Sequence, residues 1–255
     1  MDDALPPDIV HATLVFFRVS GLMLVAPVLS SRSVPAMTRA ALVILLTVVL
    51  IPAVGSAPAD LVVGPVALAS ELVVGLGIGL GAATLLAGAE LAGEVLAVQI
   101  GLSGATALDP ISGQGTGVLS QLLQLFVVLL LLVSGGHLMM IEALAGSFAV
   151  VPVGSGFAVS AGAWELVRAG GLVFADGLQF AAPVIASASV GYIALGVLAK
   201  ASPQLNMLAV AFPLQIALGL LVLAGVLPLV ATSYAMWPER MAALVDRFLL
   251  ALATG

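Results

Sequence analysis

The sequence predicts an all-α fold, a polytopic membrane protein built from long, kinked helical hairpins. Three observations predict it. Of 255 residues, 62% are hydrophobic and only 8% are charged, against roughly 25% charged in soluble domains. The apolar residues run in blocks long enough to cross a hydrocarbon core of about 30 Å, which takes roughly 20 helical residues. Those blocks also lack the polar–apolar alternation of a membrane barrel. No stretch is polar enough to form a separate aqueous module, so residues 1–255 read as one membrane-embedded unit.

The elements follow in order. The acidic N-terminus, Met-Asp-Asp-Ala-Leu-Pro-Pro-Asp, lacks the positive region of a cleavable signal peptide, so the first block, 9–29, is expected to be retained. The second, 40–54, is short and stops at Pro52. The blocks 61–89 and 171–199 are each about 43 Å long at 1.5 Å per residue, more than a bilayer needs. Between them lies 118–133, which could continue to Met140. The last block, 207–231, is expected to be interrupted at Pro213 and Pro228. Weaker helical stretches cover 90–107, 138–151 and 241–253. Short, overlong and broken segments suit helices packed against protein better than a ring of simple spans in lipid.

Counting positive charges places the Arg32/Arg39 loop and the Lys200 loop in the cytoplasm, with the N-terminus outside. One crossing from Lys200 then puts Arg240 and Arg247 on the outer face. Either 207–231 returns as a broken hairpin, or the helices are not ordinary spans. The run Gly75-Leu-Gly-Ile-Gly-Leu-Gly81 fails as a dinucleotide fingerprint, because no strand precedes it and its spacing is wrong. As small-xxx-small pairs, Gly75/Gly79 and Gly77/Gly81, it lets helix backbones approach closely.

Few polar groups interrupt the blocks, and each costs at least about 2.5–3.5 kcal/mol at membrane depth unless it faces a partner or water. Arg18, Glu71 and Asp176 lie inside blocks, and Glu142 follows His137 after the Gly135-Gly136 break. One alternative is a relay for protons or ions. The other is that Arg18 pairs with one of the carboxylates, or that these groups make salt bridges between subunits. Glu90 and Glu94 share a helix face and fit a solvated helix end, and His137 fits a loop or cap position. The net charge of −6 with seven scattered Lys and Arg makes no basic patch, so nucleic acid is not an expected partner. No cysteine is present, which removes thiolate and disulfide chemistry. Nothing resembles a nucleophile–base pair, a Walker loop or a metal cage, so no catalysis and no cofactor are expected. The segment Leu108, Asp109, Pro110, Ile111, Ser112, Gly113, Gln114, Gly115, continuing to Val118, is either a surface linker or irregular backbone lining a water-filled cavity.

The order of the punctuating residues carries a resemblance. Phe17-Arg-Val-Ser-Gly-Leu-Met-Leu-Val-Ala-Pro-Val precedes Ser31-Arg-Ser-Val-Pro-Ala-Met-Thr-Arg39. Glu71 and the glycine run lead to Ala89-Glu-Leu-Ala-Gly-Glu-Val and Gln99-Ile-Gly-Leu-Ser. Asp109-Pro-Ile-Ser-Gly precedes Gly135-Gly-His-Leu and Ser147-Phe-Ala-Val-Val-Pro-Val-Gly154. Ala182-Pro-Val-Ile, Lys200-Ala-Ser-Pro-Gln-Leu-Asn206 and Phe212-Pro-Leu-Gln-Ile-Ala-Leu-Gly219 complete the series. Singly these are unspecific. Together and in order, over essentially the whole chain, they resemble the FliR family of flagellar export-gate proteins and its injectisome relatives, the SctT-type subunits.

The resemblance implies a structural pore subunit of a flagellar type III export gate in the bacterial inner membrane, at the basal body. Its partners would be FliP- and FliQ-type subunits, the larger membrane proteins of the export gate, membrane lipid and unfolded export substrates. Residues 1–167 would correspond to a FliP-like part and 168–255 to a FliQ-like helical hairpin with its tip at Lys200, Gln204 and Asn206. The loop around 106–118 would contribute to a plug. Family plug loops often carry bulky apolar residues, whereas this one reads Ser-Gly-Gln-Gly-Thr-Gly, so Leu108 or Ile111 would have to supply the apolar contact. Arg18, Glu71, Glu90, Glu94, Asp176, Lys200, Gln204 and Asn206 would make polar contacts within the membrane or between subunits. The competing expectation, from a different class, is a proton-coupled small-molecule permease using Arg18, Glu71, Asp176 and Glu142.

Overall fold

The computed structural model describes residues 6–31, 34–54, 64–101, 117–155, 159–201 and 207–254, and among these every regular element is helical. In chain order they are α1 (Pro7–Val25), α2 (Ala36–Leu50) with a 3₁₀ turn Ile51–Ala53, α3 (Pro65–Gln99), α4 (Val118–Val133), α5 (Gly136–Val150), α6 (Val159–Ala201), α7 (Met207–Ala235) and α8 (Trp237–Thr254). Five segments are long and apolar enough to cross a membrane, or six if the bent pair α4 and α5 counts as one span. The chain is a multi-pass membrane protein.

Prolines set the early boundaries. α1 begins with Pro6 as N-cap and Pro7 in its first turn, where the missing N–H is no loss. It ends at Val25 because Ala26, preceding Pro27, is held extended at φ −56°, ψ 128°. Pro52 falls in the 3₁₀ turn that prolongs α2, so that span runs Ala36–Ala53.

Several boundaries differ from the sequence expectation. Blocks 61–89 and 90–107 merge into the single 35-residue α3. α6 starts at Val159 and runs for 43 residues, about 65 Å, straight through Gly170-Gly171. α7 continues through Pro213 and Pro228. Each proline removes one backbone hydrogen bond. Opening the helix there would free further N–H and C=O groups with no water to take them, so the helix persists. An unbroken α7 removes the option of a broken hairpin over 207–231. Conversely, 118–133 does not continue to Met140. Gly135 adopts φ +76°, a left-handed conformation that suits glycine, and the span bends by 64° between α4 and α5.

The contacts divide the chain into two compact units. The first comprises Met1–Thr84, Leu131–Gly171 and Trp237–Gly255. In it α1 packs on α2 and α5 on α8. α1 buries Val10, Leu14, Val15, Val19, Leu22 and Met23, a stripe at helical spacing. α8 buries Trp237, Met241, Leu244, Val245, Phe248 and Leu252 on one face and exposes Glu239, Arg240, Asp246 and Arg247 on the other. The glycine run of α3 serves two neighbours here. A Cβ at Gly75 would stand 2.0 Å from the Arg18 carbonyl oxygen of α1, and one at Gly77 would stand 2.0 Å from the Phe248 ring of α8. Alternate faces of one helix are therefore cleared for two partners.

The second unit comprises Leu85–Leu130 and Leu172–Met236. α3 meets α4 where a Cβ on Gly93 would lie 2.4 Å from Ser120 Cα, and meets α6 where Gly88 and Gly177 face each other. The Tyr192 hydroxyl of α6 donates to the Gln99 carbonyl at the end of α3 over 2.7 Å. Phe180 of α6 and Tyr234 of α7 pack with ring centroids 5.3 Å apart. Val190, Ile193 and Val197 of α6 and Leu214, Leu221 and Leu229 of α7 point outward.

Candidate functional site

Arg18 lies near the middle of α1, on the same stripe as the apolar core residues, and is 0% exposed. Burying a guanidinium there is tolerable only if its charge is met; Nε and Nη1 find acceptors, whereas Nη2 is buried without a hydrogen-bond partner among the described residues. Its Nε donates to Glu71 Oε2 of α3 at 2.6 Å, and its Nη1 donates to Ser147 Oγ of α5 at 3.1 Å. Its Cζ stands 4.3 Å from the centre of the Phe148 ring, within cation–π range. The Ser147 hydroxyl in turn donates to the Leu144 carbonyl at 2.7 Å, which orients its oxygen to accept from Arg18.

Glu71 is 2% exposed. Its second oxygen, Oε1, accepts a 2.9 Å hydrogen bond from the Gly154 backbone N–H. That N–H belongs to a turn closed by Ser155 N donating to the Pro152 carbonyl at 3.1 Å, with Gly154 at φ +74°. A glycine in the third position of a turn with positive φ is what a type II geometry requires. One carboxylate thus joins α1, α3 and the turn that follows α5.

The glycines explain how the ion pair can be this short. Gly75 is one helical turn beyond Glu71 and shares its face. A Cβ at Gly21 would meet the Leu72 carbonyl oxygen at 2.3 Å, and one at Gly75 would meet Arg18. The close crossing of α1 and α3 and the Arg18–Glu71 bond are parts of one stripe. Three of the segments that carried the resemblance, around Phe17–Gly21, Glu71–Gly81 and Ser147–Gly154, meet at this centre. Chemically it is a fixed tie: an enclosed ion pair with added hydrogen bonds, holding helices in register.

Of the residues singled out from the sequence, the structure brings together Arg18 and Glu71. Asp176 is half-buried on α6, where that helix passes Gly88 of α3. Glu90 is half-buried and Glu94 exposed on α3. Both lie on the continuous helix α3, within its last three turns before Gln99. Lys200 is exposed in the last turn of α6, where a cation complements the helix dipole. His137 is in the first turn of α5, and Glu142 is exposed one turn on. Gln204, Asn206 and the whole of Leu108, Asp109, Pro110, Ile111, Ser112, Gly113, Gln114 and Gly115 lie outside the described residues. Among the described residues no group of three or more His, Asp or Glu is placed to hold a metal. Sequence reasoning missed Ser147, Phe148 and Gly154. Only the Pro152-Val-Gly-Ser155 turn pattern could have pointed to one of them.

Comparison with known proteins adds to this geometry. Residues 9–241 match the family model described as bacterial export proteins, family 1. The chain is 34% identical to the flagellar biosynthetic protein FliR of Pectobacterium carotovorum subsp. carotovorum over 84% of this chain and 83% of the relative. It is likewise 34% identical to the flagellar biosynthetic protein FliR of Escherichia coli K12, with the same coverage. Against that of Caulobacter vibrioides, identity is 31% over 93% of this chain and 95% of the relative.

Proposed function

The chain belongs to the FliR family of bacterial export proteins, a membrane component of flagellar protein export, and from that premise we propose that it is a structural pore subunit of the export gate. It assembles with FliP- and FliQ-type subunits, alongside the larger gate proteins, and passes unfolded substrates across the inner membrane at the basal body. Residues 1–167 supply the FliP-like part and 168–255 the FliQ-like hairpin. The segment from Leu108 to Gly115 closes the pore.

The observation that carries this reading is the state of the intramembrane charge. Arg18 and Glu71 are 0% and 2% exposed and tied to three further groups. A relay has to reach water or a next carrier, whereas an architectural tie has to be enclosed. The broad apolar exposure of α2, α6 and α7 supports the same reading, since such surface needs lipid or neighbouring subunits to cover it.

The test is Glu71→Gln, scored twice, for protein retained in the membrane complex and for substrate exported per assembled complex. Export per complex should stay near wild type while the amount of complex falls. Loss of export from a fully assembled complex would sink the architectural reading and favour a relay.

A further inference from the structure

We propose that the outer face of α8 borders the water-filled path through which the gate passes its substrate, so that an exported chain runs past Glu239, Arg240, Asp246 and Arg247. The proposal deepens the export-gate reading and rests on it.

α8 differs from the other helices in composition. Four of its 18 residues are charged, close to the roughly 25% of soluble domains, in a chain with 8% charged residues. At about 27 Å it is nearly long enough to cross a hydrocarbon core, yet it is not among the five segments apolar enough to do so. All four charges are exposed, and the opposite face is buried. Glu239-Arg240 and Asp246-Arg247 stand about two helical turns apart, which puts both pairs on one side.

An amphipathic helix can lie flat in the membrane surface. α8 instead stands upright beside helices of the apolar spans. A Cβ at Gly136 would meet the Trp237 ring at 2.5 Å. Further along, α5 from Met139 to Val150 and α8 from Pro238 to Leu249 line one cavity. The two helices therefore run side by side in the same direction for about 16 Å, and α5 is half of the bent span. The Phe248 ring fills the space over Gly77, and Val245 lies 3.9 Å from a Cβ built on Gly81, so α8 also follows the middle turns of α3. Its charged side is carried at the depth of apolar helices, where an exposed charge requires water or a polar partner.

The other side of α3 gives the contrast. Gly75 faces α1 and Gly77 faces α8, and two residues along a helix are about 200° around it. α1 and α8 thus flank α3 on opposite sides, and α2 packs on α1. From Ala40 to Leu50, α2 has no charged residue and exposes Ile44, Leu45, Val48 and Val49. One unit presents an apolar face on α2 and a charged face on α8, as a wall between apolar surroundings and water must.

The alternation of sign favours a water path over a docking surface. Docking gains from a patch of one sign set against its complement. Here acid and base adjoin, and with the exposed Glu142 of α5 beside Asp246 neither sign dominates. Such a face stays hydrated and holds a passing chain weakly, and conduction needs binding weak enough to leave.

The chain has no cysteine, so a single introduced one reports its own surroundings. Ala243→Cys, exposed in the same row as Glu239 and Arg247, and Val48→Cys on α2 are made separately in the full chain, in cells that assemble flagella. Labelling by the charged reagent methanethiosulfonate ethylsulfonate is followed on tagged complexes recovered from spheroplasts and from inverted vesicles. Ala243→Cys should react at least about tenfold faster than Val48→Cys from one side, because the thiolate forms where water reaches it. An export substrate fused to a domain that stays folded, arrested in the gate, should slow Ala243→Cys several-fold and leave Val48→Cys unchanged. Equal rates at the two positions would place α8 against protein or lipid and overturn the proposal. Fast labelling unmoved by the arrested substrate would place α8 in water outside the path and overturn it as well. Should Ala243→Cys fail to enter complexes, Arg247→Cys is read in the same way. The unsubstituted chain is purified in parallel. If it comes alone, the export-gate reading has failed and this assignment with it. If it comes with partner subunits while labelling gives either contrary result, the α8 assignment alone has failed.

Discussion

Arg18 and Glu71 each depend on the other, because neither charge has water to fall back on. Breaking a buried pair from one side leaves an uncompensated charge and costs about 3–5 kcal/mol, whereas replacing both members with apolar side chains is often neutral or better. Arg18→Met or Glu71→Leu alone is therefore expected to lower stability by about that amount in detergent-solubilised protein. The double variant should return to within about 1–2 kcal/mol of wild type by the same argument, read by thermal or denaturant unfolding. A double variant as damaged as the sum of the singles would contradict the tie. Gly154→Ala should cost about 1–2 kcal/mol, since φ +74° disfavours a Cβ, with the same unfolding assay as the check. At this scale the sequence was only partly informative. It marked Arg18 and Glu71 as expensive residues that need partners. It could not choose among Glu71, Asp176 and Glu142, because that choice depends on which helices cross. Ser147 and Phe148 look like ordinary helix residues, and Gly154 contributes a backbone N–H with no side-chain signature.

Helix boundaries and crossings show a different balance. The identity of each helix was legible from apolar runs, and the glycine run was legible as a packing device. What the run packs against was not, because its two faces serve α1 and α8, which are distant in sequence. The expected breaks at Pro213 and Pro228 did not occur. In water a proline ends a helix partly because freed backbone groups can be solvated, and within an apolar span that compensation is missing. Glycines on these helices should consequently respond in opposite directions. Gly75→Ala forces a Cβ to 2.0 Å from the Arg18 carbonyl and should cost about 1–3 kcal/mol by overpacking. Gly225→Ala on α7, where a Cβ meets nothing within 4 Å, should be neutral or stabilising by about 0.4–1 kcal/mol through the entropy of the unfolded chain. Unfolding midpoints of the two variants test the pair, and equal effects would contradict the crossing described for α1 and α3.

At the scale of the molecule, scarcity of charge has a definite use. The enclosed Arg18–Glu71 pair fixes helices within one unit. Among the described residues the other charges lie on exposed or half-exposed faces, as with Glu142, Asp246 and Lys200, or beside the second crossing, as with Asp176. The large apolar surface on α2, α6 and α7 suits a subunit that completes its environment by assembly. Deleting residues 112–117 should raise ion leakage through the assembled gate several-fold while leaving assembly intact, and unchanged conductance would remove the plug assignment. The central claim is that this chain works as one subunit of a hetero-oligomeric export gate. Its most direct test is purification of the tagged chain from native membranes in mild detergent, followed by mass determination of the intact particle. The account predicts a particle containing FliP- and FliQ-type subunits with this chain. Recovery of a lone monomer or homo-oligomer that is stable and folded would contradict it.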